Sequence, residues 1–118
     1  AGQVAEVAGL VLQALSPVPG QPPGGQLALR VAGPTHSFCD LADLDPPSQA
    51  LAAGWLAGTC DTLLASDEGK AVPDAGFLAR ARPHELVVSD AAGDRLGSGF
   101  PKADLKRTSQ AGDVTVPL

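Results

Sequence analysis

The chain has 118 residues, 44% of them hydrophobic, a formal net charge of −5, and no Met, Ile, Asn or Tyr. Its length suits one domain that buries roughly two-thirds of the surface its unfolded chain exposes, and no stretch approaches the ~20 apolar residues that cross a bilayer. An acidic chain lacks the basic face with which a nucleic-acid binder displaces counterions, and without Asn there is no acceptor for N-linked sugar.

Residues 3–15, QVAEVAGLVLQAL, place Val4, Val7, Ala8, Val11, Leu12 and Leu15 at helical spacings, which predicts an N-terminal amphipathic helix over 1–15 weakened by Gly9. Residues 16–26, SPVPGQPPGGQ, read as a Pro/Gly-rich connector, because proline can continue neither a helix nor a central strand. The remaining residues, 27–118, read as a single α+β unit, so that the whole chain forms one structural domain. Leu27, Leu29 and Val31 alternate with smaller or polar residues as in a half-buried strand, which Gly33-Pro34 ends.

THSFCDLADLDPP reads as irregular. After it, Pro46-Pro47-Ser48 predicts a helix start with Ser48 as N-cap, and a central helix from about 48 to 66 whose broad inner face carries Leu51, Ala52, Trp55, Leu56, Thr59, Cys60 and Leu63. SDEGK at 66–70 is a turn, and Val72–Arg82 fits either a short strand or a helical turn. HELVVSD, a loop at Gly93 and DRLGSGF predict a hairpin over 84–100. PKADLKRTSQAGD reads as a polar connector, and Val114, Val116 and Leu118 as a short final strand. The expected fold is therefore α+β: an N-terminal amphipathic helix and one central helix packed on a small, mainly antiparallel sheet with one disulfide.

Cys39 and Cys60 are the only cysteines and lie 21 positions apart. An even count in a chain of this kind favours a disulfide worth about 3 kcal/mol in the chain-entropy model. Two buried thiols are the plainer alternative. A zinc site would need His36, Cys39, Cys60 and His84, but the second half of that set lacks the tight pair such sites use. Asp40, Asp43 and Asp45 cluster beside Cys39 without the D-x-D-x-D-G order of a calcium loop. Ser98 in LGSGF is not in a G-x-S-x-G elbow, and Ser37 beside His36 is adjacency rather than a triad. Neither phosphate-binding glycine motif occurs, and Lys102, Lys106 and Arg107 are too sparse for nucleic acid.

The absent Met marks a processed chain or a piece of a longer one, and the Ala-, Gly- and Pro-rich composition suggests a bacterial origin. The residues point to a secreted or periplasmic, non-enzymatic binding or assembly domain. Its partner is another protein, with no cofactor and no nucleic acid, and a segment before Ala1 could tether it to a membrane. A pilin-like or secretion-system subunit, an inhibitor and an immunity protein belong to this class, and the N-terminal helix leans towards the pilin-like option. The alternatives are a cytosolic ligand-sensing or regulatory domain with reduced thiols, and a small enzyme with a Cys–His or metal centre.

Overall fold

The computed structural model describes residues 2–16, 27–66, 72–90, 104–112 and 114–118. Seven strands form one mixed sheet in sequential order: β1 (Val4–Val7), β2 (Leu10–Ala14), β3 (Leu29–Ala32), β4 (Ser37–Asp40), β5 (Thr62–Leu64), β6 (Glu85–Val88) and β7 (Asp104–Arg107). β1 to β4 pair antiparallel, and β4 to β7 pair parallel. The helices are α1 (Pro46–Ala52), continued by a 3-10 turn (Ala53–Trp55), α2 (Ala75–Ala81) and α3 (Thr108–Ala111).

The N-terminal helix expected over 1–15 is instead the β1–β2 hairpin. Val4, Val7 and Val11 are β-branched and favour strands, and Ala8-Gly9 supplies a turn with φ of +51° and +81°. Two consecutive residues at positive φ make the turn that matches strand twist. Just before β1, Gly2 N donates to Ala14 O (2.8 Å) and Ala14 N donates to Gln3 O (2.9 Å). With Gly2 at φ +84°, these bonds form a glycine bulge that ends the ladder. A Cβ at Gly2 would lie 2.9 Å from the Trp55 ring, so the bulge also seats the indole.

The central helix is shorter than the 48–66 expected. Asp45, not Ser48, caps it: its Oδ1 accepts from Ser48 N at 2.9 Å, and Pro46 and Pro47 occupy the first turn, where a missing N–H does no harm. The helix tightens into the 3-10 turn around Gly54, and Leu56 leaves helical geometry at ψ 122°. The residues that follow run into β5, so Cys60 and Leu63 belong to the sheet side of the core and not to a helix. Val72–Arg82 resolves as α2, with Asp74 Oδ2 accepting from Phe77 N at 2.9 Å as its cap.

Three further expectations change. SFCD is a strand and not an irregular loop. Both edges of β6 are taken by parallel neighbours, so it has no place for the antiparallel hairpin partner; the expected second limb, 94–100, lies outside the described residues, as do the connector 17–26 and most of the turn at 66–70. The polar connector before the end contains β7 and α3, and Val114–Leu118 joins no strand of the sheet. The sheet is thus mixed and large where a small, mainly antiparallel one was expected.

Register assigns the two faces. Gln13, Arg30, Cys39, Leu63, Leu86 and Leu105 lie level across the sheet and share one face. Sequential right-handed crossovers β4–α1–β5 and β5–α2–β6 place both helices on that same face. Phe77, Ala81, Ala52 and Leu56 accordingly pack with Cys39, Leu63 and Leu86 in the core. The opposite, open face carries Leu12, Val31, Phe38, Leu64 and Val87, and Val114 and Val116 reach it from the C-terminal segment.

Two buried glutamines join helices to sheet. Gln49 donates to Leu44 O and Ser66 Oγ (2.8 and 3.1 Å) and accepts from Asp74 N (2.7 Å). Gln13 donates to Trp55 O and accepts from Ala57 N at 2.9 Å. Every polar side-chain atom buried among the described residues has a partner, as native interiors require.

Ala8 holds its positive φ against the steric preference of an L-residue, whereas Asn visits that region several-fold more readily. Ala8→Asn therefore raises the unfolding free energy by about 0.5–1 kcal/mol, read as a higher urea midpoint with unchanged slope.

Candidate functional site

Cys39 in β4 and Cys60 just ahead of β5 are bridged, with Cα atoms 5.5 Å apart and both residues fully buried. The bond joins strand β4 to the entry of β5, instead of tying a loop to a helix as their sequence positions suggested. It consumes both thiols. The zinc set of His36, Cys39, Cys60 and His84 has no thiolate to offer, and no Cys–His nucleophile can form. Among the described residues no group of three His, Cys, Asp or Glu side chains is placed to hold a metal ion.

Beside the disulfide, at the end of the sheet where the parallel strands begin, lies the densest polar cluster, centred on Asp61. Asp61 Oδ2 accepts from Ser37 N (2.9 Å) and lies 3.2 Å from Ser37 Oγ, while Asp61 N donates to that Oγ (3.0 Å). Asp61 O accepts from His84 N and Glu85 N at 2.9 and 3.1 Å, which leads the chain into β6. Thr59 O accepts from Ser37 Oγ (2.7 Å) and from Arg30 Nε (2.8 Å). Burial pulls the Arg30 guanidinium below its ordinary value, and the Asp61 carboxylate opposes that pull.

His36 and His84 flank the same carboxylate, each with a ring nitrogen 3.9 Å from one of its oxygens. His36 Nε2 also sits 2.8 Å from Thr62 Oγ1, so Thr62, His36 and Asp61 fall in the order of a nucleophile, base and orienting acid. The chemistry stops there. Thr62 is 2% exposed, Ser37 is 4% exposed, and Ser37 Oγ is already engaged on three sides. Both hydroxyls are buried, and the hydrogen bonds of the cluster brace β4, β5 and β6. The sequence offers His36 and His84 only with Cys39 and Cys60, and Ser37 only beside His36; Asp61 and Thr62 escape it because they fall inside the expected helix. The polar run Thr59–Thr62, with two Thr around Asp61, was the available signal.

The acidic loop is engaged locally. Asp40 Oδ1 accepts from Ala42 N at 2.8 Å, where Ala42 turns the chain at φ +51°. Asp45 is bound to its cap, and the Ser48 hydrogen bonds hold its carboxyl below the usual range. Neither is arranged around a calcium ion. Ser98 and Lys102 lie outside the described residues, whereas Lys106 pairs with Glu85 at 2.7 Å and Arg107 with Asp90 at 2.6 Å.

Asp90 fastens the opposite end of the sheet. Its Oδ1 accepts from Ser109 N (2.9 Å), and its backbone N–H and C=O both meet Thr108 Oγ1, at 2.8 and 3.0 Å. Burial alone would push this carboxyl up; the bonds from Ser109 and Arg107 outweigh it and hold the carboxyl below its ordinary value.

One edge of the sheet, β1, is exposed along its whole length. Gln3 O is bonded to Ala14, so alternation of the ladder makes Val4–Gln13 and Glu6–Val11 the non-bonded pairs. The backbone N–H and C=O groups of Val4 and Glu6 therefore point away from β2, and no described strand pairs with them. All four residues of β1 are exposed, Val4 and Val7 by more than half. Trp55, seated on Gly2, and Leu51, one helical turn before it, add exposed apolar surface beside this edge. Sequence reading missed the edge because it took β1 for a helix.

Two expectations follow for the fixed parts. Reduction, or the Cys39→Ala/Cys60→Ala double variant, lowers the unfolding free energy by about 3 kcal/mol; the urea midpoint of the double variant no longer responds to reductant. A carboxyl whose folded value is depressed stabilises the fold above its unfolded value, and that stabilisation is lost as pH falls through the folded one. Wild-type stability consequently drops more steeply than that of Asp90→Asn between about pH 5 and pH 2, as followed by urea unfolding at each pH.

Comparison of the chain with protein-family models, with curated proteins and with solved structures found no match.

Proposed function

We propose that this chain is an extracytoplasmic, non-enzymatic domain that binds another protein by accepting an extended segment of it along β1. The observation that carries the reading is the row of outward N–H and C=O groups at Val4 and Glu6, on a strand exposed along its whole length. An unpaired edge is a template for strand addition, in which main-chain bonds supply affinity and alternate side chains supply selectivity. Val4 and Glu6 share the helix-bearing face, towards Trp55, and Ala5 and Val7 share the open face. An added strand would find apolar contacts on both sides and a single negative charge, Glu6, which disfavours an acid directly opposite.

The buried disulfide points to an oxidising compartment, and no described helix is long and apolar enough to cross a membrane. A secreted or periplasmic location agrees with both. The lean towards a pilin-like subunit falls away with the helix on which it rested. An inhibitor or immunity role stays within the class of strand-accepting binders.

A photo-cross-linking residue at Val7 tests the proposal in the native extracytoplasmic fraction, with the exposed Ala79 of α2 as control. The expected result is one adduct from position 7 and none from position 79, mapped by mass spectrometry to an extended segment of a single partner. Val4→Pro should abolish it, because proline is tolerated where the N–H points outward yet removes that donor. An adduct that survives Val4→Pro with an unchanged melting midpoint, equal labelling from both positions, no adduct at all, or an adduct of twice the chain's own mass would each overturn the reading.

A further inference from the structure

The open face of the sheet has its own cavity, independent of the β1 edge. After α3 the chain turns back across the strands, and Val114 and Val116 face inward while Thr115 and Pro117 face out. This segment is held at both ends. At one end, Thr108 Oγ1 donates to Asp90 O and accepts from Asp90 N. At the other, Leu118 lies so close over Gly33 that a Cβ there would come within 2.6 Å of its carbonyl carbon. Between these anchors the segment spans Phe38, Leu64 and Val87 without filling the space beneath it. The result is a half-open pocket of about 370 Å³, lined by those three residues, Ser89, Thr108, Val114 and Val116.

The lining defines what fits. The volume exceeds the about 150 Å³ of an apolar cavity that takes benzene and falls within the range of small-molecule sites. No charged side chain lines it, so an ionised ligand would lose its hydration with no compensating partner. Two hydroxyls face it. That of Thr108 both donates and accepts already, whereas Ser89, at the exposed rim, has no hydrogen-bond partner among the described residues. We propose that the cavity between the C-terminal segment and the open face of the sheet binds an uncharged, largely apolar small molecule of two or three rings, oriented by one hydrogen bond to the Ser89 hydroxyl.

N-phenyl-1-naphthylamine is a suitable probe, since it is uncharged, has two aromatic portions and one N–H, and brightens in apolar surroundings. Titrated into the oxidised full chain, it should bind saturably at one site per chain. The sulfonated analogue 1-anilinonaphthalene-8-sulfonate should bind at least about ten-fold more weakly, because its charge has no partner there. Val116→Trp fills the cavity from the roof and should weaken the probe about ten-fold or more, and Ser89→Ala should weaken it about five-fold, the loss of one hydrogen bond. Trp55→Ala, on the other face, should leave it unchanged. If Val116→Trp lowers the melting midpoint, Ser89→Phe, which fills the mouth from an exposed position, decides in its place. Unsaturable binding, equal affinity for the sulfonate, indifference to the filling variants, or loss of the probe in Trp55→Ala would overturn the proposal.

Discussion

Parallel strands have no hairpin turn to set their register, and the rest of this fold depends on how β4 and β5 meet that difficulty. The two strands are separated by α1, a 3-10 turn and the residues that follow, and a slip of one residue would send Cys39 and Leu63 to the wrong face. The disulfide fixes one point of the pairing, and the reciprocal bonds between Ser37 and Asp61 fix a second within one strand-width. Asp61 then passes the alignment to β6 through its own carbonyl. Once β4, β5 and β6 are in step, right-handed crossovers leave both helices on one side. The other side is open to whatever segment returns across it.

The same braces compensate for a core that is poor in large side chains. Phe77 is the only aromatic residue fully buried among the described residues; Phe38 is half-buried and Trp55 is 43% exposed. Aromatic residues contribute the largest apolar area per residue, and their scarcity leaves Ala and Leu to fill the space between helices and sheet. Gln49 and Gln13 occupy positions where another fold would use a bulky apolar group. Each satisfies both ends of its amide, so each fixes geometry without leaving an orphaned polar atom.

Much of the organisation was legible in the sequence where a residue type leaves no choice. Gly33-Pro34 ends β3, the alternation of Leu29 and Val31 marks a strand, and the cysteines pair. Legibility failed where two periodicities coincide. Val4, Val7, Val11 and Leu15 satisfy a helical stripe, yet the same segment broken at Ala8-Gly9 gives two short strands, and β-branched content decided between them. The run from Pro46 to Ser66 has apolar residues at helical spacing throughout, but β5 is buried in a parallel ladder, where a short apolar run looks the same in either structure. The Asp61 cluster draws on residues 36, 61 and 84, which only the strand order brings together. The alternation of Val114 and Val116 was visible, and it reports an inward face correctly even though the segment joins no ladder.

The braces also explain where function can reside. The polar residues that resemble a catalytic set, His36, Asp61 and Thr62, sit beside the disulfide at the point where register is fixed; the Thr62 hydroxyl is buried and the Asp61 carboxylate is engaged by Ser37. Opening that cluster to a substrate would loosen the alignment of three strands at once. Sites that change on binding are better placed where stability does not depend on them. Two places meet that condition: the β1 edge, which can gain a strand without disturbing β2, and the extended roof over the open face, whose inward valines belong to no ladder. The β1 edge lies away from the β4–β5 junction, and the roof crosses β4 and β5 on the face opposite the disulfide without entering their ladder.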